Sequence, residues 1–317
     1  EYSAKDFERY INMIEEHFDP YKEHEVIAFA KKIREERGVS FDVVMSMAVH
    51  LDENLNPRSK FTDEIPESRW GKDNANEFVR LLKKFYTDAG CKAFFENNKD
   101  LYKEVSDRFL PIYNRLDIDW YSRFYGKEPS EKFIIVTSLA NGRGNYGPSY
   151  TPLDGKKEVY AIICIAGVDS LGMPVYNENY SFPTLLHEFN HSFVNYLLDA
   201  NRDKFEKSGK TIFASVKEIM AQQAYGDWAI VLNEALVRAS VIKYMKDHNL
   251  DSSMVNEEVK TQLKRGFYWI RQLVEELEIY DSQRDKYPTL ESYVPNLIQF
   301  YKKIADEETE RDKKRPK

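Results

Sequence analysis

Residues 185–193 read Leu185-Leu186-His187-Glu188-Phe189-Asn190-His191-Ser192-Phe193. Histidines four apart lie on one face of an α-helix, so both imidazoles can point at the same ion, with Glu188 one step round. The rival reading is a core helix that happens to contain two histidines. The flanks sharpen the choice, because Leu185, Leu186, Phe189, Phe193, Val194, Leu197 and Leu198 leave this helix little polar surface. Burying two imidazoles and a carboxylate there is costly unless something pairs with them. The other four histidines, His17, His24, His50 and His248, stand singly in polar or amphipathic surroundings. The pattern therefore predicts one zinc ion per chain held by His187 and His191, with Glu188 as the base that takes a proton from water.

A third ligand is expected downstream. The stretch VLNEALVRASVIKYM (231–245) places Glu234 in an otherwise apolar helix, and a buried carboxylate needs a partner. A metal ion would be one; Arg238, one helical turn on, would be another. Both can hold, with Arg238 or Asn233 supporting the ligand from behind. Glu218, Asp227 and His248 compete less well, since Glu218 and His248 stand among charged residues and Asp227 follows a glycine.

Composition bounds the rest. A chain of 317 residues, 42% hydrophobic and 31% charged, is an ordinary globular balance with ample length for a core. Its net charge of −7 argues against a general nucleic-acid binder, which needs a basic face to displace counterions. The dense basic run is the terminal RDKKRPK (311–317), expected to be solvated. The most apolar stretch, VYAIICIAGV (159–168), is too short to span a bilayer and suits a buried strand. No secretory leader is present, and a chain beginning at Glu1 rather than Met suggests that one has been removed, hence an exported protein: periplasmic, cell-surface or secreted. Cys164 reads as a buried thiol, and no pairing with Cys91 follows from sequence.

The predicted fold class is α+β, in two regions. Residues 1–128 read as helical, beginning with the three- and four-residue spacing of Phe7, Tyr10, Ile11, Ile14 and Phe18. Residues 129–317 open with a small sheet over 132–167. It comprises KFIIVTSLA (132–140), a glycine-rich bend, NYGPSYT (145–151) and EVYAIICIAG (158–167), the last two joined as a hairpin at Asp154-Gly155. A zinc helix follows over 182–199, with Ser181 as N-cap and Pro183 in the first turn. A long helix carrying the third ligand covers 214–246, and C-terminal helices close the chain, with Pro295 expected to bend the last. The two regions could also form one continuous domain.

His-Glu-Phe-Asn-His followed by Leu-Asn-Glu-Ala-Leu-Val-Arg-Ala resembles the gluzincin clan of zinc metallopeptidases, the thermolysin and aminopeptidase N type. More closely, residues from about 132 to 240 are similar to an uncharacterised family of predicted exported bacterial metallopeptidases. The resemblance implies a zincin-like fold, with zinc on His187, His191 and Glu234, Glu188 as general base, and Asn233 in the Asn-Glu pair. The 42 residues between His191 and Glu234 (192–233) exceed the gap typical of aminopeptidase N relatives; the excess, around NRDKFEKSGKTIFAS, reads as a polar insertion. A metzincin would need Gly at 194 and His at 197, where this chain has Val194 and Leu197.

The resemblance also implies an edge strand that holds peptide by main-chain hydrogen bonds, for which NYGPSYT, with Asn145 and Tyr146, is the candidate. An oxyanion donor is expected too, with Tyr146, Tyr225 and Tyr268 as candidates among 21 tyrosines. A di-iron protein would need a second Glu-x-x-His, and none is present. The expected activity is peptide hydrolysis. An endopeptidase is preferred because no Gly-x-Met-Glu-Asn-type aminopeptidase signature precedes the helix. The alternatives are a zincin-like binding protein without activity, and a zinc hydrolase of non-peptide amides.

Overall fold

The computed structural model describes residues 7–129, 131–141, 144–153 and 155–314, apart from the side chains of 311–314. It is mostly helical with a small sheet, an α+β fold. Two compact units divide the chain. The first is Glu1–Leu116 with Ser130–Leu185; the second is Asp117–Pro129 with Leu186–Lys317.

The first unit opens with α1 (Glu8–Phe18), α2 (Glu25–Arg37), α3 (Asp42–Val49), α4 (Lys72–Asp88), α5 (Cys91–Asn97) and α6 (Lys99–Tyr113). Their apolar stripes meet in two cores. Ile33, Val43, Met47, Phe61, Trp70 and Val79 form one, while Phe7, Tyr10, Phe94, Leu101 and Val105 join Ile165 and Met173 in the other. After α7 (Ile118–Tyr125), which belongs to the second unit, the chain returns to the first as β1 (Lys132–Thr137), β2 (Ser149–Tyr150) and β3 (Glu158–Ile163). The sheet order is β1-β3-β2. β3 lies in the middle because it is buried along most of its length, and it pairs parallel with β1 (Lys132 opposite Glu158) and antiparallel with β2. The expected hairpin is thus present, though Asp154 of its turn lies outside the described residues, as do Gly142 and Arg143 of the glycine-rich bend. The strand predicted to reach Gly167 stops at Ile163; Gly167–Val168 (β4) instead pairs with Pro174–Val175 (β5) in a second small sheet. Arg58 ties the loop after α3 to β3, bonding Glu158 at 2.7 Å and the Tyr160 hydroxyl at 3.1 Å.

α8 (Glu178–Asp199) starts four residues before the expected 182, so Ser181 is internal and Pro183 lies inside the helix. The predicted long helix over 214–246 is two helices. α9 (Arg202–Ala221) absorbs the supposed polar insertion, and α10 (Trp228–Asp247) begins where Asp227 caps the Ala229 N–H at 2.8 Å. The break is local: α9 ends where Ala224 takes a left-handed φ of +62° and the Tyr225 N–H bonds back to the Met220 carbonyl, and the two helices then pack closely. Gly209 lets α9 approach α10 so closely that a Cβ there would lie 2.2 Å from the Trp228 ring. α11 (Ser252–Lys264), α12 (Ile270–Ser282) and α13 (Leu290–Lys314), with Pro295 inside it, complete the second unit. α10 is buried on nearly every side, the pattern of a central helix. Among the described residues, no helix is long and apolar enough to cross a membrane. Cys91 and Cys164 are both free and buried.

Candidate metal centre

α8 is held in place by its apolar side. Leu186, Phe189, Phe193, Val194, Leu197 and Leu198 are all buried, each contributing roughly 1.5–3 kcal/mol of burial. Behind them, Tyr125 of α7 stacks on Phe193 with ring centroids 4.6 Å apart. Its hydroxyl donates to Asn190 Oδ1 at 2.6 Å, and Asn190 Nδ2 donates to the Leu186 carbonyl at 2.8 Å. The helix is therefore pinned against rotation, and the face carrying His187 and His191 is set by the face that packs.

The two Nε2 atoms are 3.1 Å apart, with the rings edge to face. Glu234, projecting from α10, brings Oε2 to 3.6 Å from His187 Nε2 and Oε1 to 3.5 Å from His191 Nε2. A tetrahedral ion with bonds of about 2.0–2.2 Å needs ligand atoms roughly 3.3–3.6 Å apart; the separations here lie close to that range, the two imidazoles each facing a different oxygen of Glu234. The donor set, two imidazoles and a carboxylate, fits a divalent ion such as zinc with a position left over. No other group of three possible metal ligands occurs among the described residues.

Partners orient each ligand. Asn195, one turn beyond His191, offers its Oδ1 to His191 Nδ1 at 3.1 Å. An amide oxygen can only accept, so Nδ1 carries the proton and Nε2 turns a lone pair toward His187 and Glu234. Glu234 Oε2 accepts from Arg238 Nη2 at 2.7 Å and from the Tyr225 hydroxyl at 3.0 Å. Arg238 Nη2 also donates to Tyr225 at 2.9 Å, and Nη1 to Gln262 Oε1 at 3.1 Å. One carboxylate oxygen is thus committed to two donors while Oε1 faces His191. Burial, then the charges of Arg238, His191 and Arg265, hold His187 well below the usual histidine range, so it stays neutral and able to ligate. Burial works against the Arg238 charge, but Glu234 and Tyr225 outweigh it. Burial also pushes the half-buried Glu188 carboxyl up to about 7.

The fold thus brings together His187, Glu188, His191, Glu234, Tyr225 and Arg238. The competing ligands lie elsewhere: Glu218 is exposed, Asp227 caps α10 and pairs with Arg202, and His248 pairs with Asp117. Asn233 Oδ1 is buried without a hydrogen-bond partner. Tyr268 is 47% exposed. Asn145 and Tyr146 belong to the other compact unit; Asn145 accepts from the Cys164 N–H and donates to the Tyr180 hydroxyl, while Tyr146 bridges to Ile162 through its backbone. Sequence reasoning missed Asn195 and Gln262. The i+4 spacing from His191 could have found Asn195, but nothing local points to Gln262.

Fold and site together define an α+β chain, mostly helical, that carries a His/His/Glu group of metal-binding geometry. The chain belongs to the family described as Domain of unknown function (DUF4932), whose model matches residues 3–300. No curated protein and no solved structure matches it.

Proposed function

We propose that this protein is a zinc-dependent peptidase with a zincin-like arrangement of metal helix and third-ligand helix. The observation that carries this reading is the convergence of His187 Nε2, His191 Nε2 and the Glu234 carboxylate within 3.6 Å of one another, with Glu188 one residue along the same helix. A bound zinc ion would supply a Lewis acid that polarises a carbonyl and acidifies water. His187, His191 and Glu234 would hold it. Glu188 takes the proton from the attacking water and returns it to the departing amine, for which a carboxyl raised toward neutrality by burial is well suited. Of the three tyrosines considered as oxyanion donors, Tyr225 touches the ligand set, and its hydroxyl proton is spent on Glu234. Its first role is therefore to hold that ligand. Peptide as substrate, an internal cleavage site and export of the protein belong to the same proposal and rest on the resemblance of the motifs.

The test is cleavage of a quenched-fluorescence peptide library by zinc-loaded protein. Cleavage should fall about 10²–10⁴-fold in Glu188→Gln, a range expected for loss of a general base, with zinc content unchanged. A library left uncut by zinc-loaded wild type would sink the peptidase reading.

A further inference from the structure

Gln262 is a buried amide on α11 with a charged side chain on either side of it. Its Oε1 accepts from Arg238 Nη1 at 3.1 Å, and its Nε2 donates to the Glu258 carboxylate, one turn earlier, at 2.5 Å. Chemistry fixes the direction of this pair. A guanidinium can only donate, so the amide oxygen must face Arg238, and the NH2 is left for an acceptor, which Glu258 supplies. Arg238 gives its other terminal nitrogen, Nη2, to Glu234 Oε2 and to the Tyr225 hydroxyl, which itself donates to the same oxygen. Arg238 Nε has no hydrogen-bond partner. Apart from Glu234 and Tyr225, the groups that hold the guanidinium among the described residues are Gln262 and the Phe267 ring, 5.2 Å away.

The end of α11 sets this hold. Gly266 takes φ +96°; its N–H bonds the Leu263 carbonyl and the Phe267 N–H bonds the Gln262 carbonyl, both at 3.1 Å, the paired bonds of a Schellman motif. One turn of chain thus brings both the Gln262 side chain and the Phe267 ring to Arg238. Gln223 fastens the same turn by donating to the Arg265 carbonyl at 2.8 Å. At the outer end, Glu258 is half-buried and makes no ion pair among the described residues, so Gln262 is where its charge is engaged. We propose that Glu258 and Gln262 are positioning residues of the metal centre. Through Arg238 they set where the Glu234 carboxylate stands, and so how tightly the His187–His191–Glu234 group holds a divalent cation. This inference rests on the metal reading above.

The test is the affinity of the full chain for zinc and for cobalt(II) by competition titration, with the visible absorption of cobalt reporting on the coordination itself. Gln262→Leu should weaken both ions about 10–100-fold and shift the cobalt bands, as expected for a lost partner behind a ligand. Glu258→Ala should weaken them about tenfold, the lower end of that range. Because the two act in series, the double variant should lose no more than Gln262→Leu alone, whereas independent effects would multiply. Glu257→Ala removes the same charge one residue away, from a carboxylate paired with Lys260 at 2.6 Å, and should leave affinity unchanged. Glu258 is partly exposed, so Glu258→Ala decides the matter even if Gln262→Leu fails to fold. Unchanged affinity in Glu258→Ala or in folded Gln262→Leu, losses that multiply in the double variant, or equal losses in Glu257→Ala and Glu258→Ala overturn the proposal while leaving the metal reading intact. A wild-type chain that binds neither ion overturns both.

Discussion

Two polar clusters, one in each compact unit, use the same kinds of side chain to different ends. In the first unit Arg58 meets Glu158, and the Tyr160 hydroxyl donates to Glu158 at 2.7 Å. Lys132 stands 3.7 Å from the same carboxylate, and the Arg58 guanidinium lies 4.0 Å over the Tyr150 ring. Every acceptor there faces a donor, and the one carboxylate is flanked by two cations and a hydroxyl. In the second unit three possible metal ligands converge instead: two Nε2 atoms and the Glu234 carboxylate, with Asn195 bonded to His191 and with Arg238 and Tyr225 bonded to Glu234. A matched cluster is structural glue. Converging ligand atoms backed by oriented partners suit a cation, because buried acceptors facing one another repel unless something positive lies between them.

The largest effect that would break this contrast is on metal binding. His187→Ala should lose zinc affinity by at least about 10³-fold, since a buried ligand is removed outright. Elemental analysis on wild type and variant decides it, and equal zinc in both would reduce the group to a core feature. Arg238→Met should destabilise the zinc-free protein by about 3–5 kcal/mol, because it strands a buried carboxylate. Added zinc should recover part of that loss by taking over the charge. Melting curves with and without zinc check this, and an equal loss in both would show that the ion and Arg238 do not share Glu234.

Glu158→Gln should cost about 1–3 kcal/mol in urea denaturation at neutral pH, with zinc making no difference. Arg58 holds the Glu158 carboxyl below its ordinary value of 4.5. Its contribution is therefore present above 4.5 and lost as pH falls through the lowered folded value. Wild type and variant should converge in acid; a gap that stays constant there would remove the charge from the explanation. Asn195→Ala should weaken zinc binding about 10–100-fold with little change in melting of the zinc-free protein. Asn195→Asp should restore the affinity, and a competition titration reads both. Last and smallest, Lys103→Ala breaks an exposed helix pair with Asp107 and should leave the melting temperature unchanged.

Local chemistry was readable where the chain keeps its own company. His187, Glu188 and His191 share one helix face by spacing alone, and Asn195, four residues on, was equally readable. Phe7, Tyr10 and Ile14 announced a helix for the same reason: a period of 3.6 needs no knowledge of what lies opposite. The break between α9 and α10 was harder, because the apolar pattern runs through both. The close approach at Gly209 and the Asp227 cap belong to packing and to one turn. The start of α8 was missed because Pro183, tolerated inside the helix, reads as a first-turn residue.

What the sequence determined by itself is the pair of imidazoles with their adjacent carboxylate, and Glu234 as a charge in an apolar helix. Only the tertiary structure decided that Glu234 comes within 3.6 Å of both imidazoles, and that Arg238, Tyr225 and Gln262 converge behind it. The reason is physical. Helical periodicity is carried by neighbours along the chain, whereas the distance between α8 and α10 is set by side chains packed from many separate segments, whose sum no single stretch contains.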